Sequence, residues 1–343
     1  MWWLFILYAV LLVLVVFLSN IVAKCTDYIE KHTKLTGALL GGVVLAGITS
    51  LPELVTSITS SLLGEPNLVQ GDILGSSIFD ICILGVIMIV FGKVVKNSTI
   101  SKDNARFVLW TGLICLCIIA VTLIEVLCGV SLVIPYVNIN VLTFVCIILY
   151  IVALLTMKKV DENKAQNTVN TTNTNTNNQS VDVVTDKKEL KSVIIKFVIS
   201  AVFLIGVSIG ITFISNFISN EYGLGKGLVG ALFLGVATSL PEIISSFTLV
   251  RLGNYNSAFG NIIGSCLFNF LVLSIADVFY FGGSVFLASL SSVYAVLCIL
   301  VSLCALYLSY LLQTRTKYCN RGTLALCGIV TVICYVVFLI ILA

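Results

Sequence analysis

Two short polar segments of the chain are near copies of each other and lie in apolar surroundings. Residues 49–53 (TSLPE) recur as residues 238–242, 189 positions later. A second block follows in the same register, because residues 71–80 (GDILGSSIFD) match residues 260–269 (GNIIGSCLFN). Carboxylates are costly inside a bilayer and mark ion or substrate pathways there. Two copies of a polar, proline-interrupted segment in corresponding halves are typical of a binding site near the middle of the membrane.

The spacing within each first block places a hydroxyl and a carboxylate on one helix face. Thr49 and Glu53 are four residues apart, as are Thr238 and Glu242. The second blocks repeat this pattern with other residue types. Their pairs are Ser76 with Asp80 and Ser265 with Asn269.

The prolines of the two motifs predict breaks in the helices that carry them. Pro52 and Pro241 have no N–H and clash with the preceding turn, so nearby carbonyls lose their helical partners. In a bilayer such carbonyls need a replacement partner, and a cation is a suitable one. The donors are carboxylates, one amide, hydroxyls and carbonyls, without histidine or cysteine. Hard oxygen ligands favour Ca²⁺ and Na⁺ over zinc or copper.

The small residues of the second blocks predict close helix packing. Gly71 with Gly75, and Gly260 with Gly264, form small-xxx-small patterns that allow a neighbouring backbone to approach.

The remaining polar residues of the apolar regions have simpler interpretations. Asp72, near the end of its span, is predicted to be solvated or to cap a helix, and Glu125 and Asp277 are predicted to lie at the membrane interface. His32, the one histidine, is predicted to be a solvated loop residue. The apolar runs contain no Ser–His or Gly-x-Gly-Asp protease arrangement, so an enzyme is not expected.

Composition places the whole chain in a bilayer. The chain has 343 residues, of which 59% are hydrophobic and 10% are charged. Soluble domains carry about 25% charged residues, so this is an integral membrane protein whose partner is lipid. The net charge of +3 is too small to indicate nucleic-acid binding. The apolar run 2–22 is too long for a cleaved signal and predicts a retained first helix.

Ten apolar runs are long enough to cross a membrane. Their limits are 2–23, 36–62, 67–91, 106–127, 132–157, 191–215, 226–250, 256–280, 286–312 and 322–342. The predicted first half is 1–157 with its motif at 36–85, and the second half is 191–343 with its motif at 225–274. The Asn/Thr-rich stretch 158–190 between them predicts a disordered linker.

Basic residues predict the orientation of the spans. Of the 19 lysines and arginines, 18 fall on one side of the predicted membrane, and Lys226 alone falls on the other. The positive side is cytoplasmic, so both termini are expected outside and the linker in the cytoplasm. Five spans per half is an odd number, so the halves must have opposite orientations. The predicted fold is therefore an all-α polytopic membrane protein of ten helices in two inverted five-helix repeats, with helices two and seven broken at the Pro-Glu motifs.

With both paired blocks, the span count and the central linker, the chain resembles the cation/calcium antiporter superfamily, and specifically its prokaryotic-type sodium/calcium exchangers. The resemblance implies exchange of Ca²⁺ for Na⁺ by alternating access, without a cofactor, in a protein that functions as a monomer at the cell membrane. It also implies that the first and sixth helices slide across the rest of the bundle as a gate.

The resemblance further implies an ion-binding set at the motif positions. Glu53 and Glu242 correspond to the central Ca²⁺ ligands, with the carbonyls of Thr49 and Thr238, and Asp80 and Asn269 complete a group of four side chains. The residues implied for flanking Na⁺ sites are Ser50, Ser239, Ser76, Ser265, Thr49, Thr238 and the carbonyls near Ala46 and Gly235.

Two positions depart from the family pattern and leave the coupling ion open. Asp80 and Asn269 are exchanged relative to the usual order of the two blocks, and Ile48 stands where Gly or Ala is usual. A Ca²⁺/H⁺ exchanger and a potassium-dependent exchanger therefore remain alternatives. A cation channel, which also uses acidic residues, is the alternative from a different class.

Overall fold

The fold is that of a computed structural model, which describes most of the chain. The described residues are 2–32, 50–98, 100–129, 131–134, 139–171, 187–251, 253, 255–287, 291–314 and 320–342. Thr49, Ile48 and Ala46, with the greater part of predicted span two, lie outside them.

The described chain is helical apart from one short ribbon. In chain order its helices are α1 (Trp3–His32), α2 (Leu51–Leu62), α3 (Pro66–Val90), α4 (Gly92–Asn97), α5 (Lys102–Cys128), α6 (Val141–Thr171), α7 (Lys187–Tyr222), α8 (Lys226–Thr238), α9 (Leu240–Arg251), α10 (Tyr255–Val278), α11 (Ser291–Thr314) and α12 (Arg321–Leu342). A 3₁₀ turn at Val285–Leu287 precedes α11.

Seven of these helices are long and apolar enough to cross a membrane, and the bent pair α8–α9 makes an eighth among the described residues. They establish a multi-pass membrane protein. Helix α6 has a shorter apolar stretch, Val141–Thr156, and α2 directly follows the undescribed residues 33–49. The count of ten spans therefore stays a prediction.

The predicted fifth span begins later than expected. Two strands, β1 (Val133–Ile134) and β2 (Ile139–Asn140), pair antiparallel before α6 starts at Val141. The sequence here is rich in β-branched residues and contains Pro135, both of which disfavour a helix.

Two acidic residues anchor this ribbon and are buried, whereas the sequence predicted them at the interface. Asp277, at the end of α10, is fully buried and accepts hydrogen bonds from the backbone N–H of Val285 at 2.7 Å and of Asn140 at 3.1 Å. Glu125, near the end of α5, is 7% exposed and accepts the N–H of Leu132 at 2.8 Å. Both carboxylates satisfy loop N–H groups, which is why they lie at helix ends but away from solvent.

The helix that carries the second Pro-Glu motif is bent at the proline. Helices α8 and α9 meet at an angle of 46° around Ser239. Within α8, the segment Gly230–Gly235 is a π-helix, and such local widening is frequent at functional sites. In the first half, α2 begins at Leu51 with Pro52 in its first turn, a position that tolerates the missing N–H.

The bundle has two distinguishable ends. At one, which we call the Glu65 end, Lys226 at the start of α8 forms a 3.1 Å ion pair with Glu65, just before α3. At the other, the Ser101 end beyond α3 and α4, the backbone N–H of Ser101 donates to Asn256 Oδ1 at 2.7 Å. Helix α3 therefore starts at the Glu65 end, whereas α10, which carries Asn256 in its first turn, starts at the Ser101 end.

Helices α3 and α8 approach backbone to backbone. A Cβ added to Gly71 would lie 2.3 Å from the carbonyl oxygen of Gly227, and one added to Gly75 would lie 2.6 Å from Ala231 Cα. The predicted close packing is confirmed for this pair. Its counterpart on α10 behaves differently, since a Cβ at Gly260 would meet the side chain of Asn104 and one at Gly264 would meet nothing within 4 Å.

The apolar interior is divided into two clusters. The larger joins α3, α5, α6, α10, α11 and α12. The smaller connects α1 and α7 to α3 and α8, and it contains Val15, Leu204, Leu68 and Leu234. Helices α1 and α7 pack along each other, and α7 also packs along α2.

The helices on both sides of the predicted linker extend into it. Helix α6 continues to Thr171 and α7 begins at Lys187, so helix covers part of the stretch 158–190. Residues 172–186 lie outside the described part. Helix α1 likewise continues to His32, where the sequence predicted a loop.

Candidate ion-binding site

Four fully buried polar side chains stand at the centre of the site. Glu53 lies in the first turn of α2 and Glu242 in the first turn of α9, while Asp80 and Asn269 lie within α3 and α10. All four are 0% exposed. Each glutamate thus follows a helix start, where the aligned peptide dipoles stabilise negative charge.

Ser50 connects the two motif regions. Its hydroxyl donates to Glu242 Oε1 at 3.3 Å, and its Oγ lies 3.1 Å from Ser265 Oγ. Through these contacts the beginning of α2 meets α9 and α10. The structure thus brings together three residues that the sequence assigned to the ion-binding set.

Asn269 makes the corresponding contact between α10 and α3. Its Nδ2 donates to Ser76 Oγ at 3.1 Å and to Ser77 Oγ at 3.2 Å. Ser77 was not predicted as a site residue. The signal in the sequence is weak, because Cys266 occupies the matching position of the second block.

Glu53 and Asp80 are buried carboxylates with few donors. Among the described residues, the Ser239 hydroxyl lies beside the Asp80 carboxylate, and the Glu53 carboxylate faces its own backbone N–H, but none of the four oxygens accepts a hydrogen bond of good geometry. No lysine or arginine in the described part of the chain forms an ion pair with either of them. A buried carboxylate without a counterion costs several kcal/mol or more, so each requires a proton or a cation. A further oxygen without a partner in this region is Asn269 Oδ1.

Thr238 and Gly235 are placed at the site with partners of their own. The Thr238 hydroxyl contacts the carbonyl oxygens of Leu234 at 3.1 Å and Gly235 at 3.3 Å. The Gly235 carbonyl also accepts the N–H of Ser239 at 3.2 Å. Gly235 packs against α3, where a Cβ on it would lie 2.8 Å from the backbone nitrogen of Ser76.

Asp72 is buried, contrary to its predicted solvated or capping role. It is 0% exposed. Its Oδ2 accepts the hydroxyls of Thr56 at 2.5 Å and Ser57 at 3.2 Å, and its Oδ1 accepts that of Thr238 at 3.5 Å. The sequence could not reveal this, because hydroxyls on two other helices bury the residue.

Any cation at this site would need neutral oxygen ligands beside the carboxylates. Across the described residues, no three His, Cys, Asp or Glu side chains form a group that could hold a metal ion alone. Amide, hydroxyl and carbonyl oxygens would have to contribute. Such mixed oxygen sets with few charges are compatible with Na⁺ and Ca²⁺.

Buried carboxylates next to a bent helix, within a membrane-spanning bundle, define a cation transporter. The family model for sodium/calcium exchanger proteins matches residues 3–159 and 193–343, so the chain belongs to that family of cation/Ca²⁺ antiporters. The expectation that it is a transporter and not an enzyme is therefore confirmed.

The chain is also similar in sequence or fold to individual known proteins. The uncharacterized membrane protein MJ0091 of Methanocaldococcus jannaschii is 23% identical over 77% of this chain and 74% of its own. The solved sodium-calcium exchanger NCX_Mj shares 20% identity over 98% of both chains, with a TM-score of 0.61. YfkE shares 14% identity over 98% of this chain and 92% of its own, with a TM-score of 0.67. At these identities the two structures support the fold.

Proposed function

We propose that this protein exchanges Ca²⁺ for Na⁺ by alternating access and that the inward movement of Na⁺ drives Ca²⁺ out of the cell. One observation carries the proposal: Glu53 and Asp80 are fully buried, and no lysine or arginine among the described residues balances their charge. A transported cation supplies the missing charge.

The proposed ligands combine both halves of the chain. Glu53 and Glu242 hold Ca²⁺ together with Asp80 and Asn269. The flanking Na⁺ ligands are Ser50, Ser239, Ser76, Ser265, Thr49, Thr238 and the carbonyls near Ala46 and Gly235. The contacts of Ser50 with Glu242 and of Asn269 with Ser76 support a set shared across the halves. The contributions of Thr49 and Ala46 rest on the sequence.

We also propose that the two halves are inverted repeats. The opposite starting ends of α3 and α10 support this arrangement. A repeated contact supports it as well: Thr56 and Ser57 bind Asp72, and the residues 189 positions later, Ser245 and Ser246, bind Asn261.

Helices α1 and α7 are the proposed gate. Their packing along each other supports movement as one unit, and none of their buried side chains belongs to the larger apolar cluster, so sliding along α2 and α8 would leave that cluster intact. Tyr8 on α1 donates its hydroxyl to the Phe233 carbonyl of the π-helical segment at 2.6 Å, which couples gate movement to α8.

Charge balance suggests the exchange cycle. The carboxylates of Glu53, Glu242 and Asp80 are neutralised by three Na⁺, or by one Ca²⁺ with one proton on Asp80. Closing the protein around an unloaded site would bury the net negative charge of its carboxylates. The empty protein therefore cannot change the side to which its site opens, so neither ion is transported without exchange for the other. The distribution of basic residues gives the proposed orientation, with both termini outside the cell and the linker in the cytoplasm. The proposed functional unit is the monomer.

Ca²⁺ uptake into proteoliposomes tests the proposal. Vesicles loaded with Na⁺ are compared with vesicles carrying an outward H⁺ gradient, with and without K⁺. Na⁺-driven, K⁺-independent uptake is expected. Uptake driven by protons alone would establish the Ca²⁺/H⁺ alternative, which the buried Asp80 without an ion-pair partner among the described residues favours, and a requirement for K⁺ would establish the potassium-dependent one. Flux far above carrier turnover would identify a channel.

Asp80→Asn is expected to weaken Na⁺ coupling more than Ca²⁺ binding. The half-saturating Na⁺ concentration should rise about tenfold, which equals about 1.4 kcal/mol, because in the proposed cycle Asp80 is ionised when Na⁺ is bound and protonated when Ca²⁺ is bound. The measurement is the Na⁺ dependence of Ca²⁺ flux beside the Ca²⁺ affinity.

The double variant Asp80→Asn/Asn269→Asp is the matched control. It moves the charge to the facing position of the other half and should recover much of the Na⁺ affinity. Equal losses for both ions in Asp80→Asn would contradict the assigned role.

A further inference from the structure

Asp72 is a charged group that the proposed ion-binding set does not use. Its three hydroxyl partners come from α2 and from the end of α8. It precedes Asp80 by eight residues on the same helix, which is about 12 Å at the rise of an α-helix. Asp72 therefore lies between the central site and the Glu65 end of the bundle.

The matching position in the second half is neutral. Asn261 donates through Nδ2 to Ser245 Oγ at 3.0 Å and Ser246 Oγ at 3.2 Å. An amide satisfies this contact without charge. A hydrogen-bonded contact between the motif helix and the following helix thus does not need a carboxylate, although the first half has Asp72 at this position.

The buried face of α2 continues the polar surface towards the Glu65 end. Ser60 and Ser61 follow Thr56 and Ser57 by one helical turn and are 0% and 2% exposed. Neither of their hydroxyls has a hydrogen-bond partner among the described residues. The equivalent positions on α9 are Leu249 and Val250, so the second half lacks this extension.

Charge and ligand type select the occupant. No described lysine or arginine pairs with Asp72, so its buried charge lacks a counterion. Each neighbouring hydroxyl has lone pairs that can face a cation once its hydrogen rotates away. One carboxylate with neutral oxygens balances a monovalent cation, whereas Ca²⁺ would keep a net charge and wants about six to eight oxygens.

We propose a further Na⁺ site between the Glu65 end and the central site, in addition to the central and flanking sites proposed above. Its ligands are Asp72, Thr56, Ser57 and Thr238, the last of which it shares with the flanking set. Na⁺ approaches it along Ser60 and Ser61. The site lies only on the Glu65 side of the central site. It therefore raises the apparent affinity for Na⁺ that enters from the membrane face at the Glu65 end, which we call the Glu65 face, and not for Na⁺ that enters from the opposite face. Its part in exchange rests on the proposed function above.

The test compares Asp72→Asn with the reciprocal variant Asn261→Asp. Ca²⁺ flux is measured against Na⁺ concentration in right-side-out and inside-out membrane vesicles. Labelling of Glu65→Cys with an impermeant thiol reagent identifies the Glu65 face. In Asp72→Asn the half-saturating Na⁺ concentration should rise about tenfold at that face and less than twofold at the other. Asn261→Asp should lower the half-saturating Na⁺ concentration at the opposite face.

An equal shift at both faces, or none, would overturn the proposal and leave Asp72 a purely structural link. If Asp72→Asn does not fold, Ser60→Ala/Ser61→Ala replaces it, with an expected rise of about threefold confined to the same face.

Calorimetric titration of the purified protein with NaCl separates this inference from the proposed function. The wild type should bind one Na⁺ more than Asp72→Asn, whether or not it exchanges Ca²⁺. Identical Na⁺ stoichiometries would reject the site. Wild-type protein that shows the extra Na⁺ but no Na⁺-driven Ca²⁺ flux would reject the exchanger assignment and retain the site.

Discussion

Glu53→Gln is expected to reduce Ca²⁺ transport at least about a hundredfold, a loss of about 2.7 kcal/mol. The replacement keeps the size of the side chain and removes the charge that a bound Ca²⁺ needs. The same variant should be more stable than the wild type in cation-free detergent solution, because a buried carboxylate without a cationic partner is costly. Ca²⁺ uptake and thermal unfolding with and without Ca²⁺ measure the two effects.

Two further variants make this result specific. Glu242→Gln should also abolish transport, but with less gain in stability, because the Glu242 carboxylate already accepts the Ser50 hydroxyl and is therefore less costly to bury. Glu65→Gln, at the ion pair with Lys226, should transport normally. Full activity of Glu53→Gln would refute the ligand assignment, and loss of activity without the gain in stability would indicate a different role for the carboxylate.

Gly75→Ala is expected to destabilise the protein strongly, whereas Gly264→Ala is expected to be tolerated. The two residues occupy matching positions of the paired blocks. A Cβ at Gly75 would lie 2.6 Å from Ala231 Cα, which belongs to a helix backbone and cannot turn away, while one at Gly264 meets nothing within 4 Å. Overpacking of this kind costs about 1–3 kcal/mol.

Thermal unfolding of the two purified variants in detergent measures this difference. Gly75→Ala should also slow transport about tenfold or more, because pushing α8 away from α3 moves Thr238 from its contact with Asp72. Similar unfolding temperatures for both variants would show that the α3–α8 approach is looser than the structure has it.

Helix positions were predicted well for spans three and ten, whose hydropathy is high along their full length. The expected run 67–91 corresponds to Pro66–Val90, and 322–342 corresponds to Arg321–Leu342. The prediction was wrong for the start of span five, where the ribbon replaces helix. Hydropathy alone cannot distinguish a buried strand from the beginning of a helix.

The paired motifs predicted which residues form the candidate site but not how they pair. Ser50, Glu242 and Ser265 do meet, as do Ser76 and Asn269. The symmetry of the motifs suggested equivalent glycine packing in both halves, yet Gly75 is packed tightly and Gly264 is open. Packing density depends on the helix that lies opposite, and the repeat does not contain that information.

The sequence by itself determined the membrane class, the antiporter family, the two motif pairs and the proline that bends the chain between α8 and α9. These features depend on composition, on local backbone chemistry and on spacing along one helix. Only the tertiary structure decided that Asp72 is buried among hydroxyls, that Glu53 and Asp80 are buried without an ion-pair partner among the described residues, and that Asn269 reaches Ser77. These properties depend on contacts between helices distant in the chain, because the environment of a buried charge is set by the groups that surround it in space.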